Sequence, residues 1–180
     1  MGPIINYETC VVKGGTGYAI KYAQLLNIPI IKSEIHNFLV ICRLEKQKEV
    51  DVVIRAFLKG AGANNKLYIV GDGKDLSRLK SLSNDKRIIF TGFLDNNSLV
   101  DIFRICQCFI VPYYKLEAGP ITAIEAMASG LTIISSKTGA MPDRFNDSEI
   151  LWHDNSVNDL TKKIELVRTY DEVEIEKKSN

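Results

Sequence analysis

Two glutamates, Glu117 and Glu125, have seven residues between them and stand at the two ends of a turn and a helix start. An apolar run, Cys108-Phe109-Ile110-Val111, reads as a buried strand and leads through Pro112 to the turn Glu117-Ala118-Gly119-Pro120. A helical pattern then runs from Ile121 to Ser129 and stops at Gly130. Pro120 suits a first helical position and Gly130 a C-terminal stop. Such a loop presents the backbone N–H groups of a helix N-terminus just past a strand end, which is a site for an anion, phosphate above all. Gly119 leaves room for close backbone approach, whereas Pro120 brings no N–H. Glu125 shares a helix face with Ile121 and Ala128. A carboxylate among small apolar residues needs a partner. The plain alternative is a solvated or salt-bridged surface glutamate.

The elements around this stretch repeat one pattern. Phe38 to Cys42, Lys66 to Val70, Arg87 to Phe90, Phe109 to Val111, Leu131 to Ser135 and Ile150 to Trp152 read as strands. Helical spacing separates them: Val50 to Leu58, then Leu76, Leu79 and Leu82, then Leu99, Ile102, Phe103 and Cys106. A closing helix is capped within Asp154 to Ser156 and carries Leu160, Ile164 and Val167 on one face. The strands are continuous apolar runs, which is the signature of a parallel sheet covered on both faces. The expected fold is therefore α/β, a doubly wound Rossmann-like parallel sheet over residues 37–180, with the charged tail 170–180 frayed. In such sheets ligands bind beyond the carboxyl ends of the strands. Arg43, Lys48, Gly71, Gly92, Glu117 and Thr138-Gly139 all fall there.

Residues 1–36 form a separate segment. Gly14-Gly15-Thr16-Gly17, a helical pattern Tyr18 to Leu26 and the strand-like Ile28-Pro29-Ile30-Ile31 make half of a Rossmann-like unit. A glycine loop of this kind is a weak signal, and a helix entry without a ligand explains it equally well.

The chain has 180 residues, 46% of them hydrophobic and 25% charged, and a net charge of +1. These values fit a globular domain and argue against a general nucleic-acid binder, which is strongly basic. No apolar run approaches the roughly 20 residues that span a bilayer. The N-terminus lacks a signal pattern, and the four cysteines, Cys10, Cys42, Cys106 and Cys108, form no CxxC pair. Buried thiols in a reducing cytoplasm are the expectation. With only His36 and His153 as histidines, no metal site is expected.

The stretch E-A-G-P-I-T-A-I-E-A-M-A-S-G resembles the E-x7-E signature of retaining glycosyltransferases of the GT-B fold, family four (group 1). Cys42-Arg43-Leu44-Glu45-Lys46-Gln47-Lys48 resembles the family's G-R-L-x-x-x-K, and Tyr68-Ile69-Val70-Gly71-Asp72-Gly73 its V-G-x-G. Phe90-Thr91-Gly92 matches F-x-G, and Gly139-Ala140-Met141-Pro142-Asp143 resembles G-G-x-P-E. The departures are Cys42 for Gly, Glu49 for the Gly after the Lys, Ala118 and Pro120 in the glycine-rich turn, and Asp143 for Glu. The resemblance covers Asn37 to about Arg168 and implies a single domain of the C-terminal, donor-binding type.

By that resemblance, Arg43, Lys48 and the backbone of Gly119, Ile121 and Thr122 hold the diphosphate of a nucleotide sugar (UDP- or GDP-linked). Glu117 would hold sugar hydroxyls as the catalytic-site carboxylate, and Glu125, with Gly71 nearby, the nucleotide ribose. No metal or other cofactor is implied. The acceptor would sit on a second Rossmann domain, which 36 residues cannot form, so this chain alone is expected to be inactive as a hexosyltransferase. That domain would be a partner, and any peripheral membrane association would run through it. Two other readings stay open: a non-catalytic nucleotide-binding or regulatory module on the same fold, and a phosphoribohydrolase-like protein suggested by Gly14 to Ile31.

Overall fold

The computed structural model describes residues 10–12, 30–32, 35–112, 121–145, 147 and 150–168. The glycine loop at 14–17, the helical pattern after it, the loop that carries Glu117 and Gly119, and the tail 170–180 lie outside the described residues.

A parallel pair, β1 (Cys10–Val12) and β2 (Ile30–Lys32), forms a two-stranded sheet of its own. The sequence reading anticipated β2 but not β1. The main sheet has six strands: β3 (Asn37–Ile41), β4 (Lys66–Val70), β5 (Ile88–Gly92), β6 (Cys108–Ile110), β7 (Thr132–Ser136) and β8 (Ile150–His153). Each neighbouring pair is parallel, in the order β5-β4-β3-β6-β7-β8. The order reverses between β3 and β6. That is the topological switch point of a Rossmann-type sheet, where a crevice opens at the carboxyl edge. Arg43 follows β3, and the loop toward α4 follows β6.

The helices are α1 (Val50–Gly60), α2 (Leu76–Ser81), α3 (Asn96–Ile105), α4 (Ile121–Ala128), α5 (Met141–Arg144) and α6 (Val157–Arg168). The short α5 falls within the stretch read from sequence only as a motif. Strand residues alternate between two cores, as the period of two requires. Phe38, Val40, Leu67, Ile69, Cys108, Ile110 and Ile134 pack with residues of α1, α2 and α6. Leu39, Val70, Phe109, Val111 and Ile133 pack with residues of α3, α4 and α5. The apolar runs are continuous because both sheet faces are covered.

Buried polar side chains hold the amino edge. Gln107 Oε1 accepts from the backbone N–H groups of Asn37 at 2.9 Å and His36 at 3.2 Å, and its amide donates to the Ile105 carbonyl at 2.9 Å. Asn65 Nδ2 donates to the Ile35 carbonyl at 2.8 Å. The entry into β3 is thereby tied to the end of α3 and the start of β4. At the carboxyl edge backbone pairs with backbone. Leu44 N–H donates to the Asp72 carbonyl at 2.8 Å, Cys42 N–H to Val70 at 3.1 Å and Gly71 N–H to Gly92 at 2.9 Å.

Gly71 has φ +130°, and a Cβ there would collide with the Cys42 carbonyl. Gly92 has φ +75° but open space around it. Gly92→Ala therefore carries only the left-handed backbone penalty, about 1–2 kcal/mol. Gly71→Ala must in addition push the β3 and β4 ends apart. Urea unfolding of both variants should rank Gly71→Ala clearly below Gly92→Ala. Equal losses would mean that the contact with Cys42 relaxes freely.

Candidate functional site

The structure brings Arg43, Lys48, Gly71 and α4 to one edge of the sheet. β3 is the first strand on one side of the switch point, and its end delivers Cys42-Arg43-Leu44. A turn of 3₁₀ helix, Lys46–Lys48, follows and reverses the chain into α1. Lys48 is half-buried on that turn. Glu49, where the family pattern has glycine, has φ 48° and ψ 38°. Only glycine takes this left-handed region without cost. So the departure is a matter of backbone as well as charge, and the structure gives a reason for the family's glycine.

The basic residues near this edge differ in what holds them. Arg78 on α2 makes a fork on Asp75, Nε to Oδ1 at 2.7 Å and Nη2 to Oδ2 at 2.6 Å, and reaches Asp51 at 3.4 Å. Its hydrogen bonds to Asp75 raise its pKa, and the Asp75 carboxyl is lowered in return. Arg55 pairs with Asp51 at 3.3 Å. Arg78, held by both carboxylates, is committed to structure. Among the described residues Arg43 pairs with Glu45 at 3.4 Å, and its side chain is 75% exposed. An ion pair that exposed contributes little, so Arg43 turns toward an anionic ligand at small cost. The pocket of about 590 Å³ between the 3₁₀ turn and α2 is lined by Lys46 and Arg78 but also by Glu49 and Asp51. Mixed charge makes it a poor anion site.

Across the switch point, α4 begins at Ile121. The N–H groups of Ile121 and Thr122 belong to its first turn, where no intrahelical acceptor exists. The helix ends in a Schellman motif, with Leu131 N–H to the Ala126 carbonyl and Gly130 N–H to Met127, both at 3.0 Å. Gly130 thus serves as the stop read from sequence, and it turns the chain straight into β7.

Glu125 lies on α4. Two readings stood open for its face, a carboxylate among small apolar residues that requires a partner and a solvated or salt-bridged surface glutamate, and the exposure fits the second. The core face of α4 is instead Ala123 and Ala126, while Ile121, Glu125 and Ala128 are exposed. The face points out of the core because α4 is short and packs by alanines. Glu125 lines a groove of about 420 Å³ between α3 and α4, with Asn96, Leu99 and Val100 opposite. Helical side chains lean toward the N-terminus, so the Glu125 carboxylate is carried toward the carboxyl edge.

Gly71 was assigned beside the ribose. Its N–H is taken by the Gly92 carbonyl, and its missing side chain is accounted for by Cys42. Thr138-Gly139 forms the turn after β7. Thr138 Oγ1 and Ser136 Oγ are 2.8 Å apart, and Gly139 has φ 57°. The β6 thiol Cys108 is fully buried, and burial pushes it well above the ordinary thiol range. It is a packing residue rather than a nucleophile. Among the described residues no group of three or more His, Cys, Asp or Glu side chains could hold a metal ion. None of the described helices is long and apolar enough to cross a membrane.

Sequence reading missed two residues at this edge. Phe93, just past Gly92, is 81% exposed. Asn96 opens α3 at the groove that Glu125 lines. Nothing in a run of residues distinguishes an exposed Phe at a strand end from a buried one.

A six-stranded parallel sheet whose order reverses between β3 and β6, with helices on both faces, defines the class of doubly wound, Rossmann-like α/β folds. Residues 27–176 match the family model described as glycosyl transferases group 1, and the chain belongs to that family. It is similar to an uncharacterized glycosyltransferase of Methanocaldococcus jannaschii, 30% identical over 145 residues, covering 74% of this chain and 37% of that protein. It is also similar to N-acetyl-alpha-D-glucosaminyl L-malate synthase of Bacillus anthracis, 30% identical over 117 residues, covering 62% and 30%. The chain thus spans well under half the length of these curated relatives. Its fold is similar to the catalytic domain of cholesterol-alpha-glucosyltransferase from Helicobacter pylori, with a TM-score of 0.64 and 23% identity, covering 73% of this chain and 85% of that one.

His153, at the end of β8, is buried, and burial lowers its pKa from 6.5 to about 4. Its Nδ1 accepts from the Asn155 N–H at 3.1 Å, where Asn155 starts the turn into α6 with φ 68°. Between about pH 4 and 6.5 the unfolded chain binds this proton and the folded one does not. Stability should therefore rise with pH across that window, by up to about 3 kcal/mol in total. The lowered carboxyls Asp75, Asp85, Asp95, Asp147 and Asp154 act below it, because their unfolded values are near 3.8. Urea unfolding at several pH values, with His153→Gln beside the wild type, should show the slope from pH 4 to 6.5 in the wild type only.

Proposed function

We propose that this chain is the donor-binding half of a retaining hexosyltransferase that takes a sugar from a nucleoside diphosphate. What supports the reading is that Arg43 and Lys48 follow β3 and α4 follows β6, the two strands that flank the switch point, in a chain of the group 1 family. Two structures of similar fold support it. HepE of Anabaena was solved in complex with UDP, at TM-score 0.64. The pneumococcal O-GlcNAc transferase GtfA was solved with UDP and GlcNAc, at TM-score 0.60.

The chemistry follows from where charge develops. As the bond from sugar to diphosphate lengthens, negative charge grows on the leaving phosphate. Groups aimed there in advance lower the barrier. Arg43 and Lys48 supply full charges, and the first turn of α4 supplies N–H donors and its dipole. Glu117 holds sugar hydroxyls, and Glu125 accepts from the ribose diol at the groove. On this reading no metal ion is needed, because the side chains and the helix carry the positive charge. The acceptor belongs to a second Rossmann-like domain, which orients it and excludes water. Orientation is worth about 7–11 kcal/mol of barrier. Donor binding is the part this domain plays, and transfer needs both domains.

The test separates phosphate from ribose. A charge-assisted hydrogen bond contributes about 1.5–3 kcal/mol. Lys48→Ala should weaken a nucleoside diphosphate about tenfold or more and leave the bare nucleoside unchanged, with an effect that shrinks as salt rises. Glu125→Gln should weaken both ligands by similar factors, since both carry the ribose. Calorimetric titration of both ligands into the three proteins decides it. Equal weakening of nucleoside and diphosphate by Lys48→Ala, or no effect of Glu125→Gln on either, contradicts the assignment.

A further inference from the structure

The two outer strands of the main sheet are finished differently. β8 is guarded: Ile150 and His153 at its ends are buried, Lys137 lies over the Trp152 ring at 5.4 Å, and the same lysine pairs with Asp147 at 2.8 Å. β5 is open. Among the described residues its single neighbouring strand is β4. Leu67 N–H donates to the Arg87 carbonyl at 2.8 Å, so Arg87 and Ile89 turn their backbone groups to β4 and Phe90 turns its N–H and C=O outward. All five residues of β5, Ile88 to Gly92, are half-buried, whereas β6 and β7 are buried throughout. The strand opens on Ile88-Ile89-Phe90 and holds no proline and no charge, the residues that ordinarily blunt a sheet edge. The register shift against β4 falls beyond Ile69, so pairing is regular over Ile88, Ile89 and Phe90.

We propose that β5 is an interface between two copies of this chain, in which the two β5 strands pair antiparallel across a twofold axis and join the sheets edge to edge. Charge favours a second copy in this orientation. Lys86, which is exposed, precedes the strand, and Asp95, also exposed, follows it. Asp85 and Arg87 offset each other as an ion pair at 2.8 Å. The leading flank is therefore positive and the trailing flank negative. Antiparallel pairing sets each leading flank against the partner's trailing flank, twice over, whereas parallel pairing would set like against like. Asp95 keeps its role at the start of α3, because the Ser98 N–H takes its Oδ1 at 2.8 Å and leaves Oδ2 for a cation. The same surface patch serves both copies, so the assembly closes as a dimer and does not grow into a fibre. It does not depend on what binds at the carboxyl edge.

Sedimentation velocity of the full chain, from micromolar to near-millimolar concentration, should show a monomer–dimer equilibrium. Ile89→Lys places a charge in the middle of the paired strand in both copies and should raise the dimer dissociation constant about tenfold or more. Lys86→Glu, outside the strand, should raise it by a smaller factor that shrinks as salt rises. Hydrogen exchange of the wild type adds a readout that no substitution disturbs. The outward amide of Phe90 should exchange more slowly as concentration rises, while the amides of β8 keep their rates. A chain that stays monomeric across the range overturns the proposal and leaves the edge to a strand of another protein. A dimer whose Phe90 amide exchanges as fast as the monomer's, or one that a folded Ile89→Lys leaves intact, overturns it as well, because the copies then meet elsewhere.

Discussion

Close approach of three backbone segments at the carboxyl edge sets the geometry on which the site depends. Gly71-Asp72-Gly73 lies against Cys42-Arg43-Leu44, joined by Leu44 N–H to the Asp72 carbonyl at 2.8 Å, and Gly71 in turn is joined to Gly92 at 2.9 Å. A Cβ at Gly73 would collide with the Leu44 carbonyl, as one at Gly71 would with Cys42. Side chains are excluded from this seam so that the strand ends continue as paired backbone beyond the sheet. The consequence is a fixed Arg43, with its guanidinium outward, directly beside the switch point. Leu44 is fully buried and anchors the same loop from below.

The two edges of the sheet are built by different means. Gln107 and Asn65 tie the amino edge with side-chain amides that have little exposure. At the carboxyl edge backbone pairs with backbone, leaving polar side chains such as Arg43, Asn96 and Glu125 exposed. Rigid support beneath exposed polar groups is what a binding site requires, since ordering those groups on binding then costs less. Among the described residues two non-glycine positions hold left-handed conformations, Glu49 between the 3₁₀ turn and α1 and Asn155 between β8 and α6.

Much of this was legible in the sequence because local pattern and burial agree. The run Asn37–Ile41 is apolar throughout its middle since both sheet faces are covered, and that alone marks a parallel strand. Gly130 read as a helix stop and forms the Schellman cap. The helix Val157–Arg168 begins where Ser156 Oγ accepts from the Asp159 N–H, as its capping residues indicated. What was not legible depends on long-range placement. Strand order cannot be read from runs, so the position of the switch point came from the structure. Glu125 was left with two readings because period alone does not say which face of a short alanine-rich helix meets the core. Phe93 was passed over for a like reason: its exposure is a property of the edge and not of its neighbours in sequence.

The central claim is that a nucleoside diphosphate binds at the switch point of this sheet. Backbone amide chemical shifts recorded by NMR during titration with UDP or GDP test it most directly. The account predicts that the largest changes fall on residues 42–48, 92–96 and 121–125, while Asn37, Asn65 and Gln107 at the amino edge stay where they are. Changes centred on the amino edge, or saturable binding that leaves residues 42–48 and 121–125 unmoved, would contradict it.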